Sequence, residues 1–130
     1  MDRRSELLQK ECPIAIVQDV VAGKWKLLII WRLKDGIKRF GELQRSLGDI
    51  RQSTLTIQLR ELETDGLVHR TVYKEVPPKV EYSLTDVGRE FLKAMAKLGE
   101  WGFFYIDYLN QSELAAKDKD LYPSEGGSCL

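Results

Sequence analysis

Histidine is almost missing from this chain. The one copy, His69, excludes any catalytic or metal site that needs two imidazoles from a single subunit. The two cysteines, Cys12 and Cys129, stand at opposite ends and offer neither metal-ligand spacing nor a disulfide framework, so reduced thiols are expected. There is no glycine-rich phosphate loop, and with one histidine a convergent set of nucleophile, base and orienting group is hard to assemble. An enzyme, a metal site and a bound cofactor are therefore not expected. Long apolar runs are missing too: the longest, Leu27 to Trp31, is far too short to cross a bilayer. The start, Asp2-Arg3-Arg4-Ser5-Glu6, is too polar for a secretory signal, which leads to the expectation of a cytoplasmic protein without a membrane partner. Excess charge of either sign is absent, with 20 basic and 20 acidic residues. Taken as a whole, that balance counts mildly against nucleic acid as a partner.

What is present is a chain of 130 residues, 43% hydrophobic and 31% charged, long enough for one domain with a real core. Its charge is unevenly spread. From Lys38 to Arg60 five basic residues face two acidic ones, a net of +3, and from Val68 to Val80 three face one, a net of +2. From Thr85 to the end five basic residues meet eight acidic ones, a net of −3. A basic middle on a neutral protein is compatible with a DNA-reading face, although solvated surface charge gives the same count.

The hydrophobic periodicity orders the chain. Pro13 suits a helix start, and Ile14, Val17, Val20 and Val21 follow at helical spacing. After Gly23, Trp25, Leu28, Ile29 and Leu33 mark a second helix, with Trp25 and Trp31 read as core. Phe40 to Leu47 forms a short third helix ending at Gly48, and Leu55, Leu59 and Leu62 stripe a fourth that Asp65-Gly66 closes. The period then drops to two. Val68 to Lys74 reads as a strand, Val76-Pro77-Pro78-Lys79 as a turn, and Val80, Tyr82 and Leu84 as the returning strand. Thr85 caps a long helix striped by Val87, Phe91, Met95, Leu98 and Gly102, with a second, aromatic surface of Trp101, Phe104, Tyr105 and Tyr108.

Three or four helices, a β-hairpin and a long helix, in that order, make an α+β but mainly α fold: a winged helix-turn-helix with N-terminal and long C-terminal dimerisation helices. The expected layout is an N-terminal extension over 1–12, the winged helix with its dimerisation helices over 13–109, and a partly disordered tail over 110–130. Both end helices carry more apolar surface than one small core needs. This makes Ile14, Val17, Leu98, Trp101, Tyr105 and Tyr108 candidates for a homodimer interface.

Several pieces, in order and at these spacings, carry a resemblance: Cys12-Pro13, Gly23-Lys24-Trp25, Arg39-Phe40 with Glu42-Leu43, Leu55-Thr56, and Leu59-Arg60-Glu61-Leu62-Glu63. Asp65-Gly66-Leu67-Val68, Val76-Pro77-Pro78-Lys79-Val80-Glu81-Tyr82 and Leu84-Thr85-Asp86-Val87-Gly88 complete it. From about Cys12 to Gly102 the chain resembles the HxlR-type regulators, relatives of the MarR-type winged helix proteins. The resemblance implies double-stranded DNA as partner. It also makes Cys12 a candidate redox thiol, since some such regulators use a cysteine here to sense oxidants or electrophiles. A helix start favours a thiolate, although Glu11 opposes it and a plain packing role is the alternative. A small-molecule effector is a second candidate partner.

A helix-turn-helix lays its second helix in the major groove, with that helix's first residues at the base edges. With Leu55, Leu59 and Leu62 facing inward, Gln52, Ser53, Thr54, Thr56, Ile57 and Arg60 lie on or beside the outer side, where amide, hydroxyl and methyl groups can read bases. Lys38, Arg39, Arg51, Arg70, Lys74 and Lys79 are expected near phosphates. Relatives usually carry serine at position 51 and often a basic residue at 53; arginine cannot cap a helix through its side chain, so Asp49 or Ser53 is the substitute expected. A winged helix used only for protein contacts is the rival reading, against which Arg51, Gln52, Thr54 and Arg60 argue.

Overall fold

The structure is a computed structural model that describes residues 2–111. Six helices and three strands run in the order α1 (Arg3–Gln9), α2 (Pro13–Val20), α3 (Lys26–Arg32), β1 (Lys38–Arg39), α4 (Phe40–Leu47), α5 (Gln52–Thr64), β2 (Val68–Tyr73), β3 (Lys79–Leu84) and α6 (Asp86–Gln111). A 3₁₀ turn over Leu33–Asp35 finishes α3. The described residues fall into two compact units, the first ending at Leu92 and the second beginning at Lys93.

The core of the first unit is aliphatic. Ile29 and Ile30 from α3, Leu43 from α4, and Leu55, Leu59 and Leu62 from α5 are at most 1% exposed. The three α5 leucines recur at spacings of four and three residues and so fall on one stripe, leaving the other side of α5 to solvent. Val68, Tyr82 and Leu84 close the core from the sheet. That sheet is antiparallel in the order β1-β3-β2, with Val68 opposite Leu84 and Tyr73 opposite Lys79 at the two ends of the hairpin. The wing is thus β2 and β3 with its tip near Pro77 and Pro78, as the alternation and the prolines imply.

The base of the wing is clasped to the helices on both sides. Gly66 adopts φ 85°, in the left-handed region that a side chain disfavours. This lets Leu67 N–H donate to Leu62 C=O at 2.9 Å and Gly66 N–H to Glu63 C=O at 3.1 Å, a Schellman stop for α5. Thr85 Oγ1 donates to Gly66 C=O at 2.6 Å and accepts from Gly88 N–H at 3.0 Å, so one hydroxyl caps α6 and ties it to the end of α5. Thr85 N–H donates to Leu67 C=O at 3.0 Å, beside Gly88.

Several expectations need correcting. The stretch before Pro13 contains a helix, α1, capped by the Asp2 carboxylate, which accepts from Ser5 N–H at 2.8 Å and is held below the usual carboxylate range by that bond. Trp25 and Trp31 are half-buried, with Lys24 and Lys34 ammonium groups over their rings at 4.9 and 4.8 Å. Val87, read on the first apolar stripe of α6, is exposed. Asn110 and Gln111, placed in the tail, still belong to α6, and the rest of the proposed tail, with Cys129, lies outside the described residues. Strand β1 pairs Lys38 with Tyr82 and Arg39 with Glu81; two residues are too few to show any periodicity in the sequence.

Candidate nucleic-acid interface

The outer side of α5 carries most of the base-reading candidates. Gln52, Ser53, Ile57 and Arg60 are exposed, while Thr54 and Thr56 are half-buried. A shallow concavity bounded by Gln52, Ser53, Thr56 and Ile57 marks the first turns of the helix. Thr56 Oγ1 donates to Gln52 C=O at 2.9 Å, so its hydroxyl proton is spent on the backbone while the oxygen can still accept. Ile57 is 54% exposed, which leaves its methyl groups open to contact.

The helix start falls at Gln52 with Arg51 as the N-cap residue in extended conformation, and no side chain caps it. Neither Asp49 nor Ser53 takes that role, contrary to expectation. The uncapped N–H groups at the first turn are free to meet an anion such as a phosphate, and the exposed Arg51 stands beside them.

The flanking cations are not equivalent. Arg39 is exposed and its N–H donates to Glu42 Oε1 at 2.9 Å, which starts α4, while Lys38 is half-buried in β1. On the wing, Arg70 reaches Glu63 of α5 at 3.5 Å, and Lys79 reaches Glu81 at 3.5 Å while lying 4.9 Å from the Tyr73 ring centre. Tyr73 also hydrogen-bonds Glu81, and that bond raises its hydroxyl pKa. Lys74 is exposed and has no carboxylate partner among the described residues. Of the wing cations expected at phosphates, Lys74 is therefore ready as it stands, whereas Arg70 and Lys79 must exchange a carboxylate for one.

The residues proposed for dimerisation are presented to solvent. Ile14 is 75% exposed on α2, and on α6 Leu98, Trp101, Tyr105 and Tyr108 are between 42% and 61% exposed. Trp101 stacks on Tyr105 at 5.1 Å and Tyr105 on Tyr108 at 5.6 Å, a continuous aromatic ridge at helical spacing. Cys12 is the N-cap residue of α2 and is exposed. The preceding Glu11 holds φ 60°, unusual for a residue other than glycine.

Four functional-looking residues escaped the sequence reading: Arg3, Lys26, Glu61 and Asp65. Arg3 is bidentate to Asp65, Nε to Oδ1 at 2.8 Å and Nη2 to Oδ2 at 2.9 Å, which raises the arginine pKa still further. Lys26 is 5% exposed and pairs with Glu61 at 3.3 Å. A lysine at the head of the apolar run Leu27-Leu28-Ile29-Ile30 was the available signal.

Comparison with known proteins agrees with this geometry. The profile of the HxlR-like helix-turn-helix family matches residues 20–110. The uncharacterized HTH-type transcriptional regulator YdeP of Bacillus subtilis (strain 168) is 47% identical over 109 residues, 84% of this chain and 85% of that protein. Among solved structures, the redox regulator HypR in its reduced form is 48% identical with a TM-score of 0.73, covering 78% of this chain and all of that one. The reduced form of the transcriptional regulator YodB from B. subtilis is 35% identical with a TM-score of 0.63, over 69% of this chain and 89% of that one. These relatives are regulators rather than enzymes. The chain is a transcription regulator of the helix-turn-helix type and belongs to the HxlR-like family.

Proposed function

We propose that the protein binds a near-palindromic operator as a homodimer, with α5 in the major groove and the β2–β3 wing on the neighbouring backbone, and that it works in the cytoplasm. The observation that carries this reading is the division of α5 into a buried leucine stripe and an exposed face of Gln52, Ser53, Ile57 and Arg60. Thr54 and Thr56 contribute at its edge. Residues 13–109 form the DNA-binding domain with its dimerisation helices, and a two-fold dimer would set two α5 helices about 10 base pairs apart.

Base and phosphate contacts should separate in a competition assay with operator variants at fixed salt. Gln52→Ala is expected to cost on the order of 1–3 kcal/mol and to relax preference at one position in each half-site. Lys74→Ala should weaken binding to every sequence alike and flatten the salt dependence, because it removes a phosphate contact from each subunit. Lys79→Ala should act in the same sense but more weakly, since Glu81 already holds that ammonium. If Gln52→Ala weakens all sequences uniformly while Lys74→Ala alters sequence preference, helix and wing have been assigned the wrong way round.

A second reading adds redox control through Cys12, motivated by its exposure at the head of α2 and by the similarity to HypR. With diamide as oxidant and a low-molecular-weight thiol present, the two thiols lose two electrons and two protons to the diamide and one S–S bond joins them. Treatment should change operator affinity in the wild-type protein and leave Cys12→Ser unaffected. An identical response in both proteins would reduce Cys12 to a surface residue.

A further inference from the structure

We propose that a cavity beside the C-terminal half of α5 binds a small oxyanion, a carboxylate or a phosphate ester, and serves as an effector site acting on the recognition helix. The cavity, of about 490 Å³, lies among α1, α2, α3 and α5, and its charged lining is Arg3, Asp19, Lys26, Arg60, Glu61 and Asp65. That volume suits a small organic acid.

The charges around it balance in number but not in pairing. Asp65, with its side chain 3% exposed, is held by both arms of the Arg3 guanidinium, and Asp19 is held by Lys10 at 3.0 Å. Glu61 faces Lys26. Each carboxylate thus has a cation, and Arg60, for which no ion pair is seen among the described residues, is left over. The charges of the lining balance, three cations against three carboxylates, but because Asp19 is held from outside the cavity by Lys10, Arg60 is the cation left available to a ligand.

Lys26 is the group that calls for a ligand. An ammonium taken out of water is strongly destabilised unless well-placed acceptors replace the lost solvent. Here the replacement is a loose contact, 3.3 Å, from a glutamate whose own side chain is 46% exposed. The Arg3–Asp65 pair in the same wall, at 2.8 Å, shows what a committed bridge looks like. Glu61 can turn out into water at little cost, because nearly half of it is there already. An incoming oxyanion would take Lys26, draw on Arg60 and release Glu61. Arg60 and Glu61 both belong to α5, so occupancy changes the interactions of the recognition helix itself. A ligand that favours one setting of α5 shifts DNA affinity by its differential affinity for the two settings.

The test is calorimetric titration of the full chain with inorganic phosphate and with succinate at constant ionic strength, chloride being the reference anion. Saturable binding of one anion per chain is expected; preference for phosphate assigns the phosphate-ester class, preference for succinate the carboxylate class, and equal binding an unselective oxyanion site. Lys26→Met should weaken binding by roughly tenfold or more, the value of one lost charged hydrogen bond. Glu61→Gln should do the opposite and tighten it, because the competing carboxylate is gone. A purely structural Lys26–Glu61 bridge gives no such reversal of sign. If Lys26→Met does not fold, Arg60→Gln replaces it, and weakening is again expected. Heats that match chloride for both anions, or affinities that none of these variants moves, would overturn the site. The titration contains no DNA, so its failure leaves the operator-binding reading untouched. In the same buffer, the bound anion should shift operator affinity for the wild-type chain and not for Lys26→Met; a wild-type affinity that the bound anion leaves unmoved would overturn the effector role.

Discussion

Gly88→Ala is expected to destabilise the protein by about 3 kcal/mol or more, enough to unfold a marginal domain. A methyl group at that position would lie 2.2 Å from Leu67 O, 3.2 Å from the carbonyl carbon of the same residue and 3.2 Å from Leu84 Cδ2. No rotamer relieves the clash, because the opposing atom is backbone. Nor can that backbone retreat cheaply. Leu67 C=O accepts from Thr85 N–H, and Leu67 N–H donates to Leu62, so movement would loosen the end of α5 and the cap of α6 together. Gly41→Ala is the matched control. Its new methyl meets only the flexible Arg45 guanidinium, at 3.3 Å, and it gains helix propensity in α4 of up to about 1 kcal/mol. Urea denaturation followed by circular dichroism should show the two midpoints moving in opposite directions. A Gly88→Ala protein as stable as the parent would mean that the junction of α5, wing and α6 is far softer than its hydrogen bonds indicate.

The second large effect concerns assembly. Trp101→Glu combined with Tyr105→Glu should convert the proposed dimer to monomer and reduce operator affinity by roughly 10²–10⁴-fold, the loss expected when two tethered reading heads become independent. Each ring presents roughly half of its surface to solvent on α6. Covering such a ring, at about 25 cal/mol per Å², stabilises an interface by on the order of 2–3 kcal/mol. Two glutamates remove that gain and place charge where no partner is provided. Sedimentation and band-shift measurements at matched salt would read both consequences. If the variant remains dimeric, the aromatic ridge is not the seam. If it becomes monomeric and still binds as tightly, the two-headed operator is wrong.

Much of this architecture was legible in the residues because it rests on period and punctuation. The switch from the three- and four-residue spacing of Leu55, Leu59 and Leu62 to the alternation after Val68 separates α5 from the wing. Pro77-Pro78 places the tip, and Thr85 announces α6 through its cap. What stayed hidden depends on contacts distant in sequence. Arg3 and Asp65 are 62 positions apart, and Lys26 and Glu61 are 35 apart, so no local pattern ties them. Strand β1 owes its existence to β3, not to its own two residues. The cap of α5, though not its start, was misread for a related reason: capping rules foresee a side-chain oxygen, whereas this helix begins after Arg51 with none supplied. For the interface, sequence identified which wing residues are basic but could not show that Glu63 and Glu81 already hold two of them.

Those two pairings bear on how the protein would find its operator in a long genome. A cation that carries its own carboxylate neutralises a phosphate only after breaking that pair, and it returns little mobile salt to solution when it does. Random DNA, which offers charge but no matching bases, is then expected to gain little from these two cations, more so because the chain as a whole carries no net charge. Its search should proceed by frequent short visits and re-entry from solution rather than by long one-dimensional sliding. Arg70 and Lys79 would then be committed to the duplex only after the face led by Gln52 has met its bases.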